Sequence, residues 1–104
     1  MKSIAISRNY ELLVALRMSG FEGIFCKDVH SLRMEFKDAL KQNQIGIILL
    51  SEGDFQEMRE EVFEAKKKKR GPLIVTLPER GGFKEKDFIL KYVKEAVGLK
   101  LDRW

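Results

Sequence analysis

The sequence predicts a small doubly wound α/β fold: a four-stranded parallel sheet with alternating helices, receiver-like or Rossmann-like, followed by a C-terminal helix. Three observations carry this expectation. Four short β-rich runs, at 2–7, 21–26, 45–50 and 73–77, alternate strictly with helical patterns, and such alternation implies parallel strands joined by right-handed crossovers. The third run, Ile45-Gly46-Ile47-Ile48-Leu49-Leu50, is almost purely aliphatic, as expected of a central strand buried on both faces. The length, 104 residues, suits one domain with one modest core.

Each helix follows from its own signals. Leu12, Leu13 and Leu16 mark a first helix over 10–18, and Gly20 suits its C-terminal end. Leu32, Phe36, Ala39 and Leu40 recur at i, i+4, i+7 and i+8, an amphipathic stripe; Asp28 or Ser31 is placed to cap its start. Phe55, Met58, Val62 and Ala65 give a third stripe, read as one helix. Ser51-Glu52-Gly53-Asp54 resembles a capping box with Asp in the usual Glu or Gln place. Acidic residues lie early in this helix, and Lys66-Lys67-Lys68-Lys69-Arg70 lie at its end, an order that complements the helix dipole. Gly71-Pro72 stops it.

Pro78-Glu79-Arg80-Gly81-Gly82 reads as a turn or hinge. The expected organisation is therefore a globular α/β part at 1–77, a linker at 78–84, and a terminal helix and tail at 85–104. Phe88, Ile89, Tyr92, Val93, Ala96 and Val97 form another apolar stripe, and Gly98 is a plausible helix end. Periodicity leaves two readings of this segment open: packing on the sheet, or docking on a partner.

Composition excludes several classes. Hydrophobic residues make up 44% and charged residues 35% of the chain, which is globular rather than disordered. No apolar run is long enough to span a bilayer, and no long apolar stretch follows the first residues, so a secretory signal is not expected. The lone cysteine, Cys26, argues against a disulfide scaffold and suits a reducing, cytoplasmic setting. One Cys and one His make a zinc site from those ligands unattractive. The net charge of +4 does not by itself imply nucleic acid.

In open α/β sheets, ligands bind beyond the carboxyl ends of the strands. The loops there begin Ser7-Arg8-Asn9, Cys26-Lys27-Asp28, Ser51-Glu52-Gly53 and Pro78-Glu79-Arg80. None carries a phosphate-cradling glycine motif. A receiver would need a phospho-accepting Asp after the third strand and acidic metal ligands after the first; those places hold Ser51 or Glu52, and Ser7-Arg8-Asn9. Cys26 with His30 is a conceivable nucleophile pair, set against Cys26 as a small buried hydrophobe. The run 66–70 is a conceivable grip for nucleic acid or anionic lipid, set against a solvated helix end; no aromatic residues interleave with it. No catalytic, cofactor-binding or metal-binding residues are expected, and no cofactor.

Four segments carry a resemblance. Leu16-Arg17-Met18-Ser19-Gly20-Phe21, Ile45-Gly46-Ile47-Ile48-Leu49-Leu50-Ser51-Glu52, Pro72-Leu73-Ile74-Val75-Thr76-Leu77-Pro78 and Val93-Lys94-Glu95-Ala96-Val97-Gly98-Leu99-Lys100-Leu101 stand in this order. They resemble the "F-R-L-A-G", "I-G-[IL]-I-L-I-T-E", "P-L-[IV]-[VL]-x-I-P" and "V-[RK]-x-A-[VI]-G-x-x-[IL]" stretches of the F subunits of V-type and A-type ATPases or ATP synthases, over nearly the whole chain. One departure stands after the first strand, where family members often carry an acidic pair and this chain carries Ser7-Arg8. The resemblance implies a non-catalytic, cytoplasmic rotor protein, peripheral to the membrane. It would dock on the coiled-coil D subunit of the central stalk and extend its C-terminal helix toward the catalytic A and B subunits. Ile89, Tyr92, Val93 and Ala96, with Lys91 and Lys94, are the expected partner contacts. The rival readings are a degenerate receiver-like interaction module, an enzyme using Cys26, and a nucleic-acid binder using 66–70.

Overall fold

A computed structural model of the chain describes residues 2–68 and 71–78. The chain runs β1 (Lys2–Ser7), α1 (Tyr10–Met18), β2 (Glu22–Phe25), α2 (Val29–Leu40), β3 (Ile45–Ser51), α3 (Glu52–Glu57), α4 (Arg59–Lys66) and β4 (Leu73–Leu77). All strand pairs are parallel, in the order β2-β1-β3-β4. The expected doubly wound sheet is present, with its topological switch between β1 and β3. The last stripe, with Ile89, Lys91, Tyr92, Val93, Lys94 and Ala96, and the 78–84 linker beyond Pro78 lie outside the described residues.

Alternation along each strand sends side chains to two cores. Ile4, Ile6, Ile48, Leu50 and Ile74 face α2 and α4, where Leu32, Phe36, Met58 and Val62 meet them. Ala5, Ile47, Leu49, Leu73, Val75 and Leu77 belong to the second core, with Leu12, Leu13 and Leu16 of α1. β3 is buried nearly throughout, as its aliphatic run predicts.

α1 ends as Gly20 predicts. Gly20 takes φ of +95°, and the amides of Gly20 and Phe21 donate to the carbonyls of Arg17 and Leu16, the paired closing bonds of a Schellman end. Asp28, rather than Ser31, caps α2: its carboxylate accepts from the Ser31 amide at 2.7 Å. His30 lies inside the first turn of α2. β2 is shorter than expected, and Cys26 falls just beyond it, with its amide on the Ser7 carbonyl at 2.9 Å.

The helix expected from Ser51 onward is broken into α3 and α4 at Met58, with φ −117° and ψ 27°. A partner explains the break. Arg33 on α2 donates from Nη2 to the Glu57 carbonyl at 3.0 Å and from Nε to the Glu61 carboxylate at 3.0 Å. A side chain taking a backbone carbonyl out of the helical ladder is a recognised cause of a kink. Meanwhile Met58 is fully buried in the first core, so apolar periodicity runs unbroken through the kink.

Candidate functional site

The carboxyl ends of β1 and β3 are built from short polar residues. In the register that pairs Ala5 with Leu49, Ser7 and Ser51 end their strands side by side. Ser51 caps α3, its hydroxyl accepting from the Asp54 amide at 3.1 Å. This half of the capping box holds. The reciprocal half does not, because the Asp54 carboxylate turns away toward β1.

Asp54 is only 2% exposed, and its two oxygens are fully engaged. Oδ2 accepts from Ser7 Oγ and Ser51 Oγ, each at 2.6 Å, and from the Arg8 amide at 3.2 Å. Oδ1 accepts from Arg8 Nε at 2.7 Å. Arg8 Nη2 also reaches the Gly53 carbonyl at 3.5 Å. A buried carboxylate is tolerable only with this kind of compensation. The Ser7 hydroxyl accepts in turn from the Asn9 amide at 2.9 Å, and Asn9 caps α1 through the Leu12 amide at 3.2 Å. One carboxylate thus ties β1, the start of α1, and α3. The position where a doubly wound sheet takes its ligand is filled by the chain's own ion pair. The Ser7-Arg8 departure is accordingly matched by an acid from another element: base after β1, acid in α3.

From the sequence, Asp54 reads only as a local acid, in the capping box and among the early acidic residues of its helix. The signal available was the juxtaposition of Ser7-Arg8 and Ser51-x-x-Asp54 at two strand ends that a parallel sheet must bring together.

The Cys26 thiol is buried and pushed up to about 11, first by burial and then by the negative charges of Glu35, Asp54 and Asp28. A thiol held protonated at neutral pH is a poor nucleophile. Cys26 and His30 share no hydrogen bond, and His30 is exposed. The geometry supports Cys26 as core. Of the basic run, Lys66 lies 6.0 Å from the Phe55 ring centre and Lys67 pairs with Glu64 at 3.2 Å. Among the described residues, no three His, Cys, Asp or Glu side chains gather where a metal ion could sit, and no helix is long and apolar enough to cross a membrane.

Three surface features remain, the first a cavity of about 320 Å³ beside the end of β4, lined by Glu52, Phe55, Gln56, Thr76 and Pro78. A groove of about 350 Å³ between α2 and α4 is floored by Leu40 and Ala65 and edged by Lys37, Glu60, Glu64 and Lys68. On the opposite face, Tyr10, Val14 and Met18 of α1 and Phe25 of β2 are exposed, with the Tyr10 and Phe25 rings edge to face at 5.8 Å.

The fold and its closed strand ends define a class: a small open parallel α/β domain whose ligand position is occupied internally and whose α1–β2 face offers an exposed apolar surface. The family model for the ATP synthase (F/14-kDa) subunit matches residues 4–93, and the chain belongs to that family. It is similar to the F subunit of the A-type ATP synthase of Methanococcoides burtonii, at 26% identity over 98 residues, covering 94% of this chain and 96% of the relative.

Proposed function

We propose that the chain is the non-catalytic F subunit of the central stalk in a V-type or A-type rotary ATPase. In this reading it binds the coiled-coil D subunit of the stalk and helps couple ATP hydrolysis or synthesis to H⁺ or Na⁺ transport. It works on the cytoplasmic side, peripheral to the membrane, without a cofactor of its own. Residues 85–104 provide a second contact, toward the catalytic A and B subunits, through Ile89, Tyr92, Val93 and Ala96, flanked by Lys91 and Lys94.

The observation that carries this reading is the extent of the family match: residues 4–93 span the α/β domain and reach into the last apolar stripe. The closed strand ends support it from the chemical side. An internal ion pair takes up the switch point between β1 and β3, where a ligand of this architecture would sit.

The test is co-expression with the coiled-coil stalk protein of the same organism, followed by size-exclusion chromatography with light scattering. A stable one-to-one complex is expected. A monomer eluting beside a folded, unbound coiled coil would sink the assignment and favour the receiver-like interaction module.

A further inference from the structure

We infer that the α1–β2 face is where this chain seats against a helix of the coiled-coil stalk protein, with Tyr10, Val14, Met18 and Phe25 as the apolar contact. This inference rests on the proposed stalk assignment and adds the face and the mode of binding to it.

The exposures are large for apolar side chains: Tyr10 62%, Val14 39%, Met18 63% and Phe25 50%. Four of the six large hydrophobics exposed among the described residues therefore lie on α1 and the adjoining end of β2. Contiguous apolar surface on a soluble domain marks an interaction site, whereas single exposed residues need no explanation. The other two do not form a patch. Phe63, 46% exposed, stands on α4 beside Phe55, edge to face at 5.8 Å, with the Arg59 guanidinium 5.7 Å from its ring centre. Met34, 60% exposed, lies on a different helix, α2.

The local structure selects a helix as the occupant. Positions 10, 14 and 18 are spaced i, i+4 and i+8, a ridge about 12 Å long of the kind that fills the groove of a second helix. Strand addition is the alternative at an edge strand, and β2 is such an edge. However, its Gly23 carbonyl is already taken by Arg17 Nη2 at 3.0 Å, a side-chain block on edge pairing. A Cβ at position 23 would stand 3.2 Å from Arg17 Nε and 3.3 Å from Leu13 Cδ2, so glycine is what lets Arg17 lie this close. The formal charges bordering the patch balance, Lys2, Arg17 and Lys27 against Glu11, Glu22 and Asp28, with Lys2 and Glu22 paired at 3.5 Å. A near-neutral apolar ridge suits the side of a coiled coil and not a phosphate backbone or an anionic headgroup. The start of the ridge is also fixed in advance, since Asn9 caps α1 and is itself held by the Ser7–Asp54 network.

The experiment uses the full chain and the co-expressed stalk protein, with the dissociation constant measured by titration calorimetry. Val14→Glu with Met18→Glu places two charges on the ridge while keeping good helix formers. Met34→Glu with Phe63→Glu does the same on the opposite face. The ridge variant is expected to bind roughly a hundred-fold or more weaker, with unchanged circular dichroism; the control pair is expected within roughly three-fold of wild type. Hydrogen exchange of the wild-type complex, which depends on no variant folding, is expected to protect residues 10–18 and 22–25. Wild-type binding by the ridge variant, or protection confined to α2 and α4, overturns the face while leaving the stalk assignment standing. No complex with the wild-type chain overturns both.

Discussion

Replacing Asp54 by Ala removes one acceptor from four donors at once, and the cost follows from the geometry. Ser7 Oγ and Ser51 Oγ each lose a 2.6 Å hydrogen bond inside the fold. Each such loss costs about 1 kcal/mol, more where the donor is left without water. The Arg8 guanidinium loses its 2.7 Å partner. Its side chain is 32% exposed, so part of its charge regains solvent and the penalty falls below that of a fully buried orphan, to about 1–2 kcal/mol. The expected total is about 3–4 kcal/mol. For a domain of this size that lowers Tm by about 12–25 °C. Urea denaturation followed by far-ultraviolet circular dichroism reads it directly, with an unchanged m-value showing that the unfolded reference is the same. Arg8→Met completes a cycle. Because Arg8 Nε and the Asp54 carboxylate bond each other at 2.7 Å, the double variant should lose clearly less stability than the sum of the two single losses. A loss below about 1 kcal/mol, or two single losses that simply add, would show that the network is not the tie between β1 and α3 described above.

Three smaller expectations test other parts of the fold. Gly20→Ala meets open space but keeps a φ of +95°, so the cost is conformational, about 1 kcal/mol, read as a lower Tm with α1 intact. The Asp28 carboxyl is held below its ordinary value, first by the Ser31 amide; the folded state therefore favours the anion. That contribution is present above the unfolded pKa and is lost as pH falls through the lower folded one, so the acid decline in Tm below about pH 4 should be steeper in wild type than in Asp28→Asn. Cys26 works in the opposite sense. With its thiol raised from 9.0 to about 11, the folded state holds its proton longer, and stability should fall as pH climbs from 9.0 toward about 11; Cys26→Ala should flatten that slope, and iodoacetamide should label wild type near neutral pH only as fast as the chain opens.

Element type was legible where one residue's local preference agreed with its place in the fold. The aliphatic run of β3, the stripe of α2 and the glycine end of α1 each needed no knowledge of neighbours, and each stands as expected. What stayed hidden depended on contacts between distant segments. The break at Met58 has no local cause: no Gly or Pro marks it, and it exists because Arg33, 24 residues earlier, takes the Glu57 carbonyl. The strand-end network is hidden for the same reason. Ser51 and Asp54 read as a local cap, yet Asp54 is claimed by Arg8 across 46 residues. The expected contacts of residues 89–96 belong to a segment outside the described residues, so they enter as proposals.

A parallel α/β sheet with its switch between β1 and β3 leaves a gap at the strand ends, and a chain has two physical uses for it. Left open, the gap receives a ligand with the loop amides and helix ends around it. Filled, it becomes a tie between elements that otherwise meet only through apolar packing. Here it is filled, and the tie runs from α3 through Asp54 to Ser7, and from Ser7 to Asn9, which starts α1. A side chain on α1 is therefore held from its base by hydrogen bonds and along its length by Leu12, Leu13 and Leu16. Pre-ordering lowers the entropy that docking must remove. Giving up the ligand gap thus stiffens the same helix that carries the exposed Tyr10–Val14–Met18 ridge, as the docking proposed above requires.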